Sequence, residues 1–454
     1  MTEQQKASKP TPKKVFFRTF GCQMNVYDTG KMRARLAGEG YVETASAEEA
    51  DLILLNTCSI REKAVDKMDS ALGAYRSLKR KGQDLVIGVA GCVAQQEGQA
   101  LLDRYTDVDM VFGPDAVGQI GEMVASARAG QRVLDTAFHD LDTYAFVNEL
   151  DPEPSGVGAF VTIQKGCDNK CTFCIVPATR GVEVSRPSEA ILDEVRGEVA
   201  RGVKEITLIG QNVNSYGLKR TGEITFAQLL YKVAEVPGVE RIRYTTSHPR
   251  DMGADVVQAY RDLPQLTSHL HLPVQSGSSR VLRRMKRFYT RERFLQLVDD
   301  LRDARPDLAL STDVIVGFPG ETDEDFEATM SLLDAVQFTA SFSFCFSPRP
   351  DTPALRLMKH AVPAEIASAR LQRYQARQRE LSAQFARGHE GRVVSVLVEG
   401  PSRQDERVMC GRTSSHLMVN FPGTLDLIGK TVDVKVTRGF VHSCRGERVG
   451  EHDA

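Results

Sequence analysis

The chain reads as an α/β protein in three parts, and three patterns carry that reading. Strand-then-helix units recur near the N-terminal end, apolar strands alternate with helical stretches through the middle, and short strands punctuated by Gly and Pro fill the C-terminal end. With 454 residues, 41% hydrophobic and 26% charged, the composition is that of a globular chain able to bury more than one core. The expected divisions are a flexible tail over 1–13, a parallel-sheet α/β domain over 14–130, a linker over 131–152, a partial (β/α)6 barrel over 153–386 and a small β-barrel over 387–450.

In the first part, Val15-Phe16-Phe17-Arg18-Thr19-Phe20 ends at Gly21-Cys22, Asp51-Leu52-Ile53-Leu54-Leu55-Asn56-Thr57 ends at Cys58, and Leu85-Val86-Ile87-Gly88-Val89-Ala90-Gly91 ends at Cys92. Helix-like stretches over 28–39 and 60–81 lie between them. The cysteines are one β-α unit apart. Strands joined by helical crossovers are parallel and bring their C-terminal ends to one sheet edge, so the three thiols are expected to converge. A lone cysteine is best read as a small buried hydrophobe. Three at one topological position read instead as ligands of an iron-sulfur cluster lacking a fourth protein ligand, with zinc or structural thiols as the competing readings.

The segment Leu150-Asp151-Pro152-Glu153-Pro154-Ser155-Gly156 has linker composition. Strand-like runs then follow at 160–164, 205–209, 241–246, 270–274, 308–316 and 342–346, too few for a closed eight-stranded barrel, with chemistry expected at the C-terminal rim. Directly after the first of them comes Cys167-Asp168-Asn169-Lys170-Cys171-Thr172-Phe173-Cys174. Three thiolates so spaced can hold three irons of a 4Fe-4S cluster and leave the fourth open. A zinc knuckle needs four ligands, and the nearest histidines in sequence are His139 and His248. Nine cysteines in so long a chain do not make a disulfide framework. Cys345, Cys410 and Cys444 share no spacing and read as ordinary thiols.

A long Arg-rich helix over 364–387 leads into strands at 391–399, 417–420 and 432–436, the pattern of a small β-barrel. The net charge of −2 hides an asymmetry, since residues 280–293 hold seven basic side chains against Glu292 alone, and the C-terminal part is also basic. Such a distribution suits an anionic partner, although a solvated helix face gives the same pattern. The polar start MTEQQKASKPTPKK has no apolar signal core and no apolar run approaches a membrane span, so a cytoplasmic protein with no membrane partner is expected.

The C-x3-C-x-aromatic-C run, with Phe173 as the aromatic, resembles the signature of the radical S-adenosylmethionine superfamily. The whole chain resembles the methylthiotransferases of that superfamily. The likeness rests on Gly21-Cys22-Gln23-Met24-Asn25, Asn56-Thr57-Cys58-Ser59-Ile60-Arg61-Glu62-Lys63-Ala64, Thr245-Thr246-Ser247-His248-Pro249 and His271-Leu272-Pro273-Val274-Gln275-Ser276-Gly277. Members that modify a ribosomal protein typically have Pro-Lys at the place of Gln23-Met24, which points to the tRNA-modifying branch.

The resemblance implies two 4Fe-4S clusters, one on Cys22, Cys58 and Cys92 and one on Cys167, Cys171 and Cys174, with S-adenosylmethionine as second cofactor. It implies transfer of a methylthio group to carbon 2 of an isopentenylated adenosine beside the anticodon of tRNA, with a C-terminal TRAM domain helping to bind the RNA. Phe173, Gln211, Asn212, Thr312 and Asp313 sit where the superfamily commonly contacts the cofactor, against a plain reading as loop caps and turn bonds. Gly317, Pro319 and Gly320 suit a turn close to the adenine. His248, His269 and His271 read by default as hydrogen-bonded structural histidines able to line the cavity. Arg283, Arg284, Lys286 and Arg287 are the expected phosphate contacts to tRNA, whose target adenine is expected in the anticodon loop. The expected protein is a monomer that draws on an electron donor and a sulfur donor the sequence does not identify. Competing readings are methylthiolation of threonylcarbamoyladenosine in tRNA or of a ribosomal-protein aspartate, and a non-catalytic iron-sulfur or zinc RNA-binding module.

Anaerobic reconstitution is expected to give about eight irons per chain, and replacing Cys167, Cys171 and Cys174 together by Ala is expected to leave about half. Stoichiometric zinc, measured by elemental analysis, would overturn the cluster reading.

Overall fold

The computed structural model describes residues 12–59, 62–139 and 146–450, arranged as two units. The first comprises Met1–Pro154 together with Ala178–Arg180. Its six parallel strands are β1 (Lys13–Phe20), β2 (Tyr41–Glu43), β3 (Leu52–Thr57), β4 (Val86–Ala90), β5 (Met110–Phe112) and β6 (Val133–Asp135), in the spatial order β2-β1-β3-β4-β5-β6. The central strands are covered on both faces, which is why β3 and β4 read as unbroken apolar runs. Leu52 and Leu54 face one way and pack with Met32, Leu36, Phe112 and Ile120. Ile53 and Leu55 face the other way and pack with Met68, Leu72, Ile87, Val89 and Leu101.

The helix Gln23–Gly38 starts five residues before the expected 28–39, because the chain turns into it directly after β1. The second expected helix, 60–81, is described from Glu62 to Arg80, and its first residues lie outside the described set, as does the N-terminal tail up to residue 11. One boundary needs correction. Val133–Asp135, inside the expected linker, pairs in register with Met110–Phe112 as the sixth strand. The segment after it is also tied to the first unit where it is described, through ion pairs of Arg35 with Glu149 at 2.8 Å and of Arg33 with Asp151.

The second unit comprises Ser155–Pro177 and Gly181–Ala454. It opens with β7 (Gly158–Thr162), followed by a short antiparallel pair, β8 (Gln164–Lys165) and β9 (Val184–Ser185), that brackets the second cysteine loop. Five further strands, β10 (Glu205–Ile209), β11 (Arg241–Tyr244), β12 (His269–His271), β13 (Ala309–Val316) and β14 (Ala340–Cys345), complete the six strands expected of the partial barrel. Their ladders form two parallel sheets, β11-β10-β7 and β12-β13-β14. Ile206, Leu208, Ile242, Leu270 and Leu310 enter one apolar core with the covering helices. The alternate positions carry Phe160, Thr207 and Arg243, which pair across one sheet, and Asp313 and Phe342, which pair across the other.

The chain ends in a closed five-stranded barrel, with β15 (Val393–Pro401), β16 (Val408–Arg412), β17 (Met418–Pro422), β18 (Thr431–Gly439) and β19 (Cys444–Arg448) in the order β15-β16-β17-β19-β18. The helix Ala364–Arg387 precedes it, at the bounds the sequence implies. Strands β16 and β19 escape sequence reading because their inward positions include Gly411 and Gly446. A Cβ on Gly411 would collide with the Leu397 carbonyl, and one on Gly446 with Val434, so side chains are excluded where a hydrophobic signal would otherwise stand. The barrel is docked within its unit by Arg241 Nη1, which donates to the Arg412 carbonyl at 2.6 Å, and by Ser268 N, which donates to Ser414 Oγ at 2.8 Å. His269 also stacks on His416 at 4.9 Å, and burial holds both imidazoles below their usual pKa and therefore neutral, His416 down to about 3.

Gly411→Ala is expected to destabilise the protein by about 1–3 kcal/mol through overpacking. Gly400→Ala, where a Cβ meets nothing within 4 Å, is expected to stay within about 0.5 kcal/mol. Chemical denaturation of the two variants checks the contrast.

Candidate functional site

Cys22, Cys58 and Cys92 follow β1, β3 and β4, which are consecutive in the sheet, so the three residues stand side by side on one edge. Cys58 N donates to the Phe20 carbonyl at 2.9 Å, fixing two of the strand ends to each other. Gly21 and Gly91 make the approach possible. A Cβ on Gly21 would lie 2.6 Å from Cys58 Cβ, and Gly91, at φ +90°, leaves room for the Asn25 and Asn56 side chains. Asn25 Nδ2 donates to Asn56 Oδ1 at 2.9 Å, and Asn56 Nδ2 donates back to the Asn25 carbonyl at 2.8 Å. Asn25 Oδ1 in turn accepts from the Cys22 thiol at 3.3 Å. These two asparagines lie in the cysteine motifs, yet their role as a buried brace is visible only in the fold.

Arg180 was not found from sequence. It is buried within the first unit, paired with Asp28 at 2.7 Å. A hydrogen bond from Cys58 and the Arg180 guanidinium together bring the Cys22 thiol down to about 6 against its burial. Burial pushes the Cys92 thiol up, and Arg180 opposes the shift. Three thiols with one fixed buried cation suit a metal group that requires them as thiolates.

The second cysteine loop is held by a close backbone approach. Gly166, at φ +72°, has no room for a Cβ because the Val182 carbonyl stands there, and Cys167 N donates to the Gly181 carbonyl at 3.1 Å. Cys174 N closes the turn on the Cys171 carbonyl at 3.1 Å. Burial pushes the Cys167 thiol up to about 11 and the Cys174 thiol up to about 12, with the Cys171 charge adding to both. Such thiols ionise on binding metal. Among the described residues no three His, Cys, Asp or Glu side chains converge tightly enough for one metal ion. A four-iron cluster makes a different demand, since each thiolate binds its own iron.

Around this loop stand buried polar atoms with no hydrogen-bond partner among the described residues: both side-chain polar atoms of Gln164, Gln211 Nε2, Asn212 Oδ1 and His248 Nε2. They are tied to the loop and to each other. Gln211 Oε1 accepts from Gly166 N at 2.5 Å, Asn212 Nδ2 donates to Asp251 at 2.8 Å, and Arg250 beside it donates to Asn169 Oδ1 at 2.6 Å. His248 Nδ1 accepts from Arg250 N at 3.1 Å, so in the neutral ring the proton is on Nε2. Burial holds this imidazole down to about 3. Unpartnered buried donors and acceptors are costly and mark a place where a polar ligand can supply the missing bonds.

The other expected cofactor contacts divide. Phe173 packs with Val281, Met285 and Phe318. Thr312 Oγ1 is used by the backbone, donating to the Leu272 carbonyl at 2.8 Å and accepting from Val274 N at 2.9 Å, so it holds strand ends instead of presenting a free hydroxyl. Asp313 faces His271 at 3.4 Å, and His271 and His269 share Ser311 Oγ, each at 3.0 Å. In the basic run, Arg283 and Lys286 are exposed, and Arg284 donates to the Pro319 carbonyl at 3.1 Å beside Gly320. Arg287 must be withdrawn from the expected phosphate surface, because its side chain turns inward and is only 5% exposed. The Arg-rich helix also spends much of its charge internally, with Arg370 on Glu321 and Asp323, Arg373 on Glu327, and Arg377 on Asp334 and Glu380.

Residues 161–333 match the model of the Radical SAM superfamily, residues 387–449 that of the TRAM domain, and residues 14–113 that described as Uncharacterized protein family UPF0004. Fold and cysteine loop thus define a radical S-adenosylmethionine enzyme, a class that works with S-adenosylmethionine and a 4Fe-4S cluster. Among curated relatives, the tRNA-2-methylthio-N(6)-dimethylallyladenosine synthase of Thiobacillus denitrificans is 50% identical over 442 residues, covering 96% of this chain and 98% of its own. That of Geobacter metallireducens is 47% identical over 435 residues, covering 96% and 98%. The chain belongs to this family of tRNA methylthiotransferases. Among solved structures, the radical S-adenosylmethionine methyltransferase TsrM from Kitasatospora setae superposes with a TM-score of 0.57 at 14% identity, covering 76% of this chain and 74% of that one, a likeness of fold alone.

Asn56→Ala leaves Asn25 Nδ2 buried without its acceptor and is expected to cost about 1–3 kcal/mol. Iron bound by a variant lacking the second cysteine set is expected to fall with it, measured after anaerobic desalting.

Proposed function

We propose that this chain transfers a methylthio group to carbon 2 of N(6)-dimethylallyladenosine next to the anticodon of tRNA, using two 4Fe-4S clusters. The observation that carries this reading is the pair of three-cysteine sets. Cys22, Cys58 and Cys92 are set by three neighbouring strand ends and Arg180, and Cys167, Cys171 and Cys174 by a loop ringed with unpartnered polar atoms. The names of the relatives supply the substrate. Cys167, Cys171 and Cys174 would hold a 4Fe-4S cluster which, once reduced by the electron donor and with S-adenosylmethionine bound, would supply the one-electron chemistry needed to remove the hydrogen from carbon 2.

The chain's own residues bind and orient. Gln164, Gln211, Asn212 and the Nε2 proton of His248 offer bonds to the polar groups of S-adenosylmethionine, while Phe173 packs behind the loop. Asp313 and His271 lie on the strand face that also carries Phe342 and Phe344, which are exposed by 54% and 48%. That combination suits a base with an apolar substituent. The tRNA backbone is met by exposed cations with aromatics among them, namely Arg283 and Lys286 beside Phe288, and Arg438 and Arg445 over Phe440. No helix among the described residues is long and apolar enough to cross a membrane. A cytoplasmic monomer served by separate electron and sulfur donors completes the reading.

The deciding experiment is mass spectrometry of tRNA nucleosides from cells with and without the gene. Loss of the 2-methylthio-dimethylallyl nucleoside supports the proposal, and loss of a threonylcarbamoyl derivative instead would redirect it. In vitro, Cys174→Ala is expected to abolish cleavage of S-adenosylmethionine, whereas Cys58→Ala still releases 5'-deoxyadenosine and forms no methylthio product, as read by liquid chromatography. Replacing Arg438 and Arg445 together by Ala is expected to weaken tRNA binding and lower the slope of log affinity against log salt by about 1–2.

A further inference from the structure

Arg287 is a buried cation with no carboxylate beside it. Its Nη2 donates to the Pro273 carbonyl at 2.9 Å, its Nε to Tyr289 Oη at 3.2 Å and its Nη1 to Cys171 Sγ at 3.5 Å. Tyr289 Oη in turn donates to the Val274 carbonyl at 2.8 Å, so the guanidinium is clamped from the strand end that follows β12. Its two chain neighbours, Lys286 at φ +57° and Phe288 at φ +58°, both lie in the left-handed region that non-glycine residues avoid. Strained backbone on both sides of one side chain persists only where the surroundings over-determine it.

A buried guanidinium without an anion is strongly unfavourable, and among the described residues no Asp or Glu pairs with this one. The acidic groups in its field include the Tyr289 hydroxyl and the Cys171 and Cys174 thiols. The charge therefore makes electrostatic sense only when the cysteine loop carries negative charge, as a thiolate-bound cluster does. We propose that Arg287 is the fixed counter-charge of the Cys167/Cys171/Cys174 cluster and raises its reduction potential through the N–H···S bond to Cys171, an inference that rests on the reading that these thiols hold a 4Fe-4S cluster. Reduction adds one negative charge to the group, so a nearby cation and a hydrogen bond to sulfur stabilise the reduced form more than the oxidised one. Arg287 acts through Cys171 and is a positioning residue.

The same guanidinium could instead serve the carboxylate of S-adenosylmethionine, and the test separates the two. Full-length protein carrying Cys22, Cys58 and Cys92 as Ala, so that one cluster reports, is reconstituted anaerobically and titrated by electron paramagnetic resonance without S-adenosylmethionine. Arg287→Gln is expected to keep its iron and to lower the reduced-to-oxidised ratio at a fixed potential at least tenfold, about 59 mV for a one-electron couple. Arg287→Lys is expected to fall between this variant and the parent, and the affinity of the oxidised protein for S-adenosylmethionine is expected to change less than twofold. An unchanged midpoint with affinity weakened tenfold would overturn the proposal in favour of a carboxylate contact. If Arg287→Gln does not retain iron, Arg287→Lys and Tyr289→Phe decide, since both keep a cation and disturb its placement. A lowered midpoint in either supports the proposal, and midpoints equal to the parent in both overturn it. A parent protein without a cluster defeats the reading of the cysteine loop itself, and the proposal with it.

Discussion

Under the proposed function the buried thiols of both cysteine sets become thiolates, and the residues around them bear directly on that electrostatic requirement. Burial alone drives a thiol pKa upward, as at Cys92, Cys167 and Cys174. Each cysteine set has one buried guanidinium within reach, Arg180 in the first unit and Arg287 in the second. Neither arginine is supplied by the motif that supplies the thiols. Arg180 is itself balanced by Asp28, whose own pKa is raised by burial, so that charge is shared between a carboxylate and the thiols. Arg287 has no such carboxylate, which makes its charge more dependent on what the loop holds.

The geometry that brings the thiols together is a property of parallel sheets. Because every strand of the first unit runs the same way, residues that follow β1, β3 and β4 must share an edge whatever their separation in the chain. That much was legible in the sequence, since each strand is an apolar run closed by a cysteine. The six parallel-sheet strands of the second unit were legible as strand-like runs alternating with helical stretches. Strands β5 and β6 have three residues each and are too short to show a period. In the C-terminal barrel, Cys444-Arg445-Gly446-Glu447-Arg448 reads as a charged loop because glycine fills an inward position.

The basic run shows a different limit. Seven cations in fourteen residues suggest a phosphate surface, but the fold deals them in several directions. Arg283 and Lys286 face solvent, Arg280 pairs with Asp325, Arg284 and Arg291 hold backbone carbonyls, and Arg287 turns to the cysteine loop. A linear charge count has no access to that sorting, because it depends on where each Cα–Cβ bond points along a short helix and two left-handed turns. Asn25 and Asn56 show the converse. They stood in plain view within the motifs, but a brace between the first turn of the helix Gln23–Gly38 and the end of β3, 31 residues apart, exists only after folding.

The docking of the small barrel has a mechanical consequence. It is attached to its unit by backbone and side-chain hydrogen bonds at Arg412 and Ser414 and by two uncharged stacked imidazoles, so a change of pH near neutrality does not loosen the joint. A module on a flexible tether raises the local concentration of whatever it grips and leaves the position of the cargo open. A module seated in this way behaves as a measuring device. Under the proposed function, a nucleic acid resting on Arg438, Phe440 and Arg445 would meet the strand ends of β12 and β13 at a fixed separation, and the length of RNA between the two points would become part of what is recognised.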